Sequence, residues 1–380
     1  MLFTVCRMHS PGNSFGLLGK SLGIPVVTSI HTDIQTLARK IKAPTLSRII
    51  ANWKEVSDSK LLDGCATTSS SFQAQLAAQG TLCDHVIPTA VDVQTFCPGA
   101  ASAEIRHRLT WGLGERALLA VFAGRLAPEK RLDLALRLLE RCYCAILLLL
   151  GHGLSSNSEH ILVSQDQRLR RSQGYHRVYC VPGFAPHAEL AAVYASADAH
   201  VSFSTFETLG NTVLEAHAAG CPVVVPRAQG FRDTVRHGED GFLFDAGPGV
   251  PEEAQVAEAA AFLGRLARDP ALGRALGEAG RRKVQGHTRE LVVKDVLGWY
   301  QRSIDRRKEK TGRALFLWHY LSLVYWVITS IFFCHLCIKT FPLLLFLKNH
   351  YLAGKRRVVG KYYALRGIKK VTSQYSFEEQ

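Results

Sequence analysis

The sequence contains no Asp-x-Asp motif, and its cysteines follow no zinc-site pattern. Asp-x-Asp offers two carboxylates to a divalent cation, so its absence argues against a metal site of that type. Cys142–Cys144 and Cys334–Cys337 each lack a second Cys/His pair at zinc-site spacing. The first apolar run is too short for a secretory signal and is interrupted by Arg7. We therefore expect reduced, idle thiols and neither a metal nor an organic cofactor.

Acidic residues are scarce toward the end of the sequence. Residues 302–380 hold 15 Lys and Arg against 4 Asp and Glu, whereas the first 301 residues hold 31 against 28. The net charge of +14 therefore comes mostly from one tail, which is also the most apolar part of the chain. A basic tail beside an apolar segment favours an anionic lipid surface over a nucleic acid as partner.

Charged residues are absent from residues 314–338, a run of 25 positions. That run exceeds the roughly 20 apolar residues that cross a bilayer. We predict a transmembrane or membrane-embedded segment over residues 314–347, followed by a basic tail over 348–380. Both flanks are basic, so the positive-inside rule leaves the orientation open. A re-entrant segment and a buried core helix are the alternatives.

Short apolar runs alternate with segments of helical periodicity in the rest of the chain. The runs occupy residues 24–30, 84–88, 117–123, 145–150, 178–181, 199–202 and 222–225. This alternation predicts parallel sheets with binding loops at the carboxyl ends of the strands. We predict an α/β protein with two nucleotide-fold domains facing a cleft, over residues 1–110 and 111–287. A polar linker at residues 99–108 would join them, and a helix followed by a basic stretch would occupy residues 288–313.

Two cations follow the run at residues 117–123, in the string Gly124-Arg125-Leu-Ala-Pro-Glu129-Lys130. An arginine supplies a rigid fork and a lysine a mobile point charge, so the pair can clamp two phosphates. Taken alone, the string is equally typical of a solvated surface loop.

Two glutamates, Glu207 and Glu215, bracket a predicted helix start. The free backbone N–H groups at Gly210, Asn211 and Thr212 suit a phosphate. The two carboxylates can accept the paired hydroxyls of a sugar and of a ribose. This cluster predicts a site for a phosphorylated sugar compound.

Two more features end predicted strands. Gly151-His152-Gly153 is a glycine-rich turn, for which a simple tight turn is the alternative. His31 follows the run at residues 24–30 and, facing the second domain, can accept or orient a proton. A structural role is the alternative for His31.

Together these residues resemble the retaining glycosyltransferases of family 4, which have the GT-B architecture. The resemblance spans about residues 10–300. It rests on SIHTD (29–33), AVDVQTF (90–96), GRLAPEKRLD (124–133), GHG (151–153), PGFAPHAELAAVYASAD (182–198), FETLGNTVLEAHAAGCPVV (206–224) and AQGFRDTVRHGEDGFLF (228–244). Within the family, the sequence is most similar to sulfolipid synthases that move sulfoquinovose from UDP to diacylglycerol. Mannosyltransferases that use GDP-mannose and lipid acceptors are nearly as similar.

The resemblance implies a role for each candidate residue. Arg125 and Lys130 would grip the donor diphosphate and stabilise charge on the departing nucleotide. Glu207 would contact the sugar, Glu215 the ribose, and His31 the donor sugar from the first domain. The donor-binding set would be completed by Gly124, Gly151, Gly153, Gly210, Asn211 and Thr212. Transfer would proceed with retention and without a metal in the chemical step.

Family members carry a strand and a glycine-rich loop before the segment that matches residues 9–12. We therefore expect the first domain to be amino-terminally incomplete by two or three strands. Three hypotheses remain open: transfer from UDP-sulfoquinovose or a similar donor to a lipid such as diacylglycerol, a GDP-mannose-dependent lipid mannosyltransferase, and a truncated, non-catalytic nucleotide-sugar-binding membrane protein. All three place the protein at a membrane. The site would face a compartment that contains nucleotide sugars, such as the cytosol or the plastid stroma.

Overall fold

The computed structural model describes residues 3–6, 22–33, 62–110, 117–142, 145–151, 178–182, 186–204 and 206–309, and the single positions 19, 36 and 45. All of them belong to one compact unit, Met1–Thr311. Four predictions lie outside these residues: the membrane segment at 314–347, the basic tail at 348–380, His152 and Gly153. Within the described part of the chain, no helix has the length and apolar character that crossing a membrane requires.

The described residues form two sheets in which every paired strand is parallel. The strands are β1 Phe3–Cys6, β2 Val26–Ile30, β3 Gly64–Thr67, β4 His85–Val86, β5 Leu118–Ala123, β6 Ala145–Gly151, β7 Val178–Pro182, β8 Ala199–Val201, β9 Val223–Pro226 and β10 Gly241–Phe244. The first sheet has the order β1-β2-β3-β4, and the second has the order β10-β9-β8-β5-β6-β7. The prediction of an α/β fold with parallel sheets is confirmed.

Helices connect most of these strands. They are α1 Ser70–Ala78, α2 Ala103–Leu109, α3 Leu132–Arg141, α4 His187–Ser196, α5 Asn211–Ala218, α6 Phe231–Thr234, α7 Glu252–Arg268, α8 Pro270–Val284 and α9 Arg289–Glu309, with short 3₁₀ turns at Pro98–Ala100 and Pro128–Lys130. In helix α3 the leucines recur at helical spacing, and they are buried between the second sheet and α7. The spacing in the sequence therefore determines which face of this helix packs inward.

The second sheet is covered by apolar side chains on both faces. Strand β5 (LLAVFA) is buried at every position, as a central strand of a parallel sheet should be. The chain runs from β5 outward through β6 and β7, then returns to the other side of β5 as β8. In such sheets the crevice at this reversal, outside the carboxyl ends of the strands, is the usual ligand position.

The first sheet is held by smaller clusters. Phe72 and Leu76 of α1 pack with Ile30, and Trp299 of α9 packs with Val27 and Ala66. Helix α9 is therefore a strap that follows the second domain in sequence but packs on the first sheet. The His85–Asp295 pair, with Nε2 and Oδ2 2.7 Å apart, adds a polar tie between β4 and α9.

The predicted linker at residues 99–108 is wrong. Most of it is helix α2, whose first turn is capped by the Ser102 hydroxyl (3.2 Å to the N–H of Ile105). Arg106 pairs with Asp198 at 2.9 Å, so α2 packs on the second domain. The polar residues of this segment thus follow from amphipathic packing.

Strands β1, β3 and β10 were not predicted. Cys65, Cys83, Cys97, Cys142 and Cys221 are in the reduced thiol form.

Candidate functional site

Three of the predicted clusters lie at one edge of the second sheet. Strand β5 pairs with β8 on one side and with β6 on the other. The loop 124–130 follows β5, the loop 202–210 follows β8, and Gly151 ends β6. Because these strands are parallel neighbours, all three clusters lie at their carboxyl ends, at the chain reversal between β5 and β8.

An ion pair joins two of these loops. The ammonium of Lys130 contacts Oε1 of Glu207, and the two side chains are only 13% and 22% exposed. Lys130 ends the 3₁₀ turn Pro128–Lys130, which holds it at the mouth of β5. Partial burial lowers the local dielectric and strengthens such a pair relative to one in water. The structure thus brings together a predicted phosphate ligand and a predicted sugar ligand, 77 residues apart in sequence.

Arg125 lies on the same loop but has a different partner. Its Nη2 donates to Oε1 of Glu129 at 2.9 Å, and the Arg125 side chain is 60% exposed. The turn before it is possible because Gly124 has a φ of +143°, a value that L side chains rarely adopt. Lys130 is therefore held inside the crevice, whereas the guanidinium of Arg125 is oriented at its rim by Glu129. The sequence did not single out Glu129 for this role.

Helix α5 presents its amino terminus at the same edge. Gly210 occupies the N-cap with a φ of +89° and, lacking a side chain, makes no side-chain cap for the first turn. A Cβ at this position would lie 2.8 Å from the ring of Phe231. The turn therefore requires glycine both because of its positive φ and because there is no room for a side chain. The first backbone N–H groups, those of Asn211 and Thr212, therefore face the site without a capping oxygen from Gly210. The predicted helix start is confirmed.

Glu215 lies one turn inside α5 and is half-buried. Burial raises the pKa of its carboxyl to about 7. The carboxylate of Glu215 lies close enough to Tyr194 for its negative charge to contribute to the raised pKa of the buried phenol. A carboxylate in this setting is poorly solvated, and hydroxyl donors from a ligand would stabilise its ionised form.

His31 reaches the site from the first sheet. Its imidazole Nε2 lies 3.0 Å from the hydroxyl of Ser29, and desolvation lowers the pKa of the ring, which favours the neutral form. Its backbone carbonyl accepts a hydrogen bond from the hydroxyl of Thr208 at 2.9 Å. Because Thr208 is adjacent to Glu207, the structure brings the end of β2 to the loop that carries the Lys130–Glu207 pair.

The sequence reasoning missed several polar residues that join the two domains here. Ser69 donates its hydroxyl to the carbonyl of Thr208 at 2.6 Å. Gln229 donates to the side-chain oxygen of Gln75 at 3.1 Å and accepts the N–H of Glu207, in its own domain, at 2.9 Å. Gln229 lies within the stretch AQGFRDTV, but an isolated glutamine carries no signal for such a contact. Among the described residues, no group of three or more His, Cys, Asp or Glu side chains is placed to hold a metal ion.

Comparisons with known proteins identify a family model and several relatives that this chain resembles. Residues 105–283 match the family model described as glycosyl transferases group 1. The GDP-mannose-dependent alpha-mannosyltransferase of Mycobacterium tuberculosis is 30% identical over 288 residues, which cover 76% of this chain and 69% of that protein. The sulfoquinovosyl transferase SQD2 of Arabidopsis thaliana is 28% identical over 343 residues, which cover 86% of this chain but only 61% of that relative's length.

A solved structure shares the fold. Anabaena HepE, in complex with UDP and glucose, superposes with a TM-score of 0.64 over 78% of this chain and 77% of its own. The sequence identity of 18% means that this likeness speaks for the fold alone.

Proposed function

The chain belongs to the group 1 glycosyltransferases, and from that premise we propose that it transfers a sugar, with retention, from a nucleoside-diphosphate donor to a lipid. The observation that carries the proposal is the half-buried Lys130–Glu207 pair beside the uncapped start of α5. A cation and a helix terminus converge there on the position of a diphosphate, with a carboxylate next to them.

Lys130 and α5 stabilise the leaving nucleotide in this proposal. An ammonium has three N–H donors, so Lys130 can hold Glu207 and still donate to a phosphate oxygen. The backbone N–H groups of Asn211 and Thr212 add fixed dipoles, which need no reorganisation as charge develops on the leaving group. Arg125 supplies a further cation from the rim, where its partial exposure leaves it room to reach a phosphate.

Glu207 and Glu215 bind hydroxyls at the two ends of the donor. Glu207, oriented by Lys130, accepts from the transferred sugar, whereas Glu215 accepts from the ribose. His31, whose lowered pKa favours the neutral ring, faces the sugar from the first sheet and accepts a hydroxyl proton in a hydrogen bond. Attack by the acceptor on the same face as the leaving group gives retention, and it needs no metal in the step.

We favour a UDP-linked donor such as UDP-sulfoquinovose and a diacylglycerol acceptor. The match to the sulfoquinovosyl transferase spans more of the chain than the match to the mannosyltransferase, 86% against 76%. The mannosyltransferase is the more identical of the two, 30% against 28%, so a GDP-mannose donor is the second candidate. A lipid acceptor would bring the protein to a membrane, as would the predicted apolar segment at residues 314–347.

The proposal is tested by incubating the full chain with diacylglycerol vesicles and either UDP-sulfoquinovose, UDP-glucose or GDP-mannose. We expect glycolipid from one donor, and its loss in Glu207→Gln with nucleotide affinity retained. Arg282→Ala is the surface control, because this exposed arginine pairs only loosely, at 3.9 Å, with Glu278 of the same helix. Product from none of the donors, with or without vesicles, would contradict the transferase assignment.

A further inference from the structure

Three side chains form a continuous hydrogen-bond relay from the first domain to the backbone of Glu207. Asp33, fully buried after β2, accepts the N–H of Thr36 at 2.8 Å through Oδ1 and contacts Nε2 of Gln75 through Oδ2. Gln75, on α1, accepts Nε2 of Gln229 at 3.1 Å. Gln229 in turn accepts the backbone N–H of Glu207 at 2.9 Å. The relay thus ends on the residue whose carboxylate holds Lys130.

The chemistry of its first member fixes the direction of the relay. An ionised Asp33 has only acceptors, so Gln75 must turn its NH₂ group toward it and present its oxygen to Gln229. Gln229 must then donate its NH₂ to Gln75, which leaves its own oxygen for the N–H of Glu207. Each amide is polarised in the same sense, and aligned hydrogen bonds of this kind strengthen one another.

The backbone at Gln229 is held in an uncommon conformation. Its φ is +34°, and among the described residues only Arg131 is another non-glycine with a positive φ. Such a conformation costs on the order of 1 kcal/mol and persists where surrounding contacts over-determine it. Both ends of the Gln229 side-chain amide are hydrogen-bonded, Nε2 to Gln75 of the first domain and Oε1 to Glu207 of the second. These two bonds are the contacts that hold the backbone in this conformation.

A second set of contacts fixes the residue after Glu207. The carbonyl of Thr208 accepts the hydroxyls of Ser69 at 2.6 Å and Thr68 at 3.2 Å, while its own hydroxyl donates to the carbonyl of His31. Ser69 also caps α1 by accepting the N–H of Phe72 at 3.3 Å. Thr208 is therefore held directly by the first domain, and Glu207 is held by Gln229, which bonds in turn to Gln75 of the first domain.

From these contacts we propose that Gln75 and Gln229 are positioning residues for sugar transfer. By holding the backbone of Glu207, they fix the position of its carboxylate relative to Lys130 and His31. The relative placement of the two domains therefore affects how the sugar of the donor is bound. This inference rests on the proposed function. None of the hydrogen bonds described for the relay reaches the start of α5 or Glu215, so we expect it to act on turnover rather than on the grip on the nucleotide.

The first test is Gln229→Gly in the full chain. Glycine accepts a φ of +34° without strain, so the change removes the amide and spares the backbone. We expect kcat for hydrolysis or transfer of the active donor to fall ten- to hundredfold, since small misplacements of a sugar ligand are costly. The affinity for UDP or GDP should stay within twofold. Unchanged kcat, or a parallel loss of nucleotide affinity, would overturn the inference.

The second test uses the direction of the relay. Gln75→Glu alone sets a carboxylate against Asp33 and should lower kcat at least tenfold. Adding Asp33→Asn restores every bond. The introduced amide donates to the introduced carboxylate and accepts from Thr36, and the second oxygen of that carboxylate still accepts from Gln229. We expect the double variant to recover most of the lost kcat, and a double variant no better than Gln75→Glu would refute the relay.

Amide hydrogen exchange separates this inference from the proposed function. In Gln229→Gly the Glu207 amide loses its acceptor, so its exchange should quicken at least tenfold whether or not a donor has been found. If the wild-type chain binds neither UDP nor GDP and exchange at Glu207 still quickens in the variant, the proposed function fails and the relay stands. If exchange at Glu207 is unaltered in the variant, the relay is absent.

Discussion

The described residues of the two sheets pack in apolar clusters of different extent. The second sheet lies between two extensive clusters of buried apolar side chains that include every residue of β5. The clusters described on the first sheet are small, one built on α1 and the other on Trp299 of α9. Hydrophobic stabilisation scales with buried apolar area, so we expect the removal of Trp299 to be costly for the first sheet. Among the described contacts, the strap α9 and a few polar ties position this sheet.

Their carboxyl edges also differ in chemistry. The second sheet presents Lys130, Glu207 and the start of α5, which suit a charged ligand. The first presents neutral His31, buried Asp33 and the hydroxyls of Thr68 and Ser69, several of which are used to hold the opposite loop. In the proposed reaction, one edge therefore binds the donor and the other fixes the geometry in which it reacts.

Removal of the strap's anchor should have the largest effect. Trp299 is 1% exposed and packs on Val27 and Ala66. Trp299→Ala should lower the free energy of unfolding by about 3–5 kcal/mol, because it leaves a large cavity beside a small core. Urea denaturation followed by circular dichroism measures this. A loss below about 1 kcal/mol would mean that the first sheet does not depend on α9.

Lys130→Ala should remove the main cation from the donor edge. We expect kcat to fall hundred- to thousandfold, since charge on the leaving diphosphate loses its fixed partner and Glu207 loses its orientation. Donor hydrolysis assays measure the change, with Arg282→Ala as the surface control. A variant within fivefold of wild type would show that the donor edge works without this residue.

The next largest effect should be a pH dependence of nucleotide affinity that arises from the ionisation of Glu215. A ribose hydroxyl bonds more strongly to the ionised carboxylate than to its protonated form, and burial raises the pKa of Glu215 to about 7. Nucleotide affinity should therefore be highest above pH 7 and fall towards tenfold per pH unit below it. Titration calorimetry from pH 5.5 to 8.5 measures this dependence.

Glu215→Gln provides the control for that profile. Glutamine does not ionise, so the variant should bind nucleotide more weakly and show only the titration of the nucleotide's own phosphate. Identical profiles in the two proteins would place the ribose elsewhere.

The smallest effect concerns an exposed tie between the domains. The hydroxyl of Ser71 donates to Asp233 at 2.6 Å at the surface. Ser71→Ala should cost about 0.5–1 kcal/mol, the ordinary value for a single hydrogen bond, and leave turnover within twofold. Thermal denaturation and the transfer assay measure the two quantities. A tenfold loss of turnover would extend the positioning role beyond the buried relay.

Much of the second domain could be predicted from the sequence. Strands such as β5 and β6 are long apolar runs, and their meaning does not depend on context. The leucines of helix α3 recur at helical spacing, so this segment belongs to the helical pattern that the sequence predicts between the strands. The positions of Lys130, Glu207 and Gly210 followed from the rule that loops at the carboxyl ends of parallel strands bind ligands.

The rest depended on tertiary contacts. Strand β3 (GCAT) is short and made of small residues, so only its neighbours mark it as a strand. The relay joins Gln75 to Gln229 across 154 residues, and an amide has no preferred spacing that a pattern could reveal. The orientation of Arg125 toward Glu129 likewise depends on a turn that the sequence only permits.

The central claim is that Lys130 and the start of α5 grip a diphosphate in the crevice between β5 and β8. Titration calorimetry of the full chain with UDP, UMP, GDP and GMP tests it directly. We predict that one diphosphate binds at least tenfold tighter than its monophosphate, and that Lys130→Ala abolishes this difference. Equal affinity for the diphosphate and the monophosphate in the wild-type chain would contradict the account.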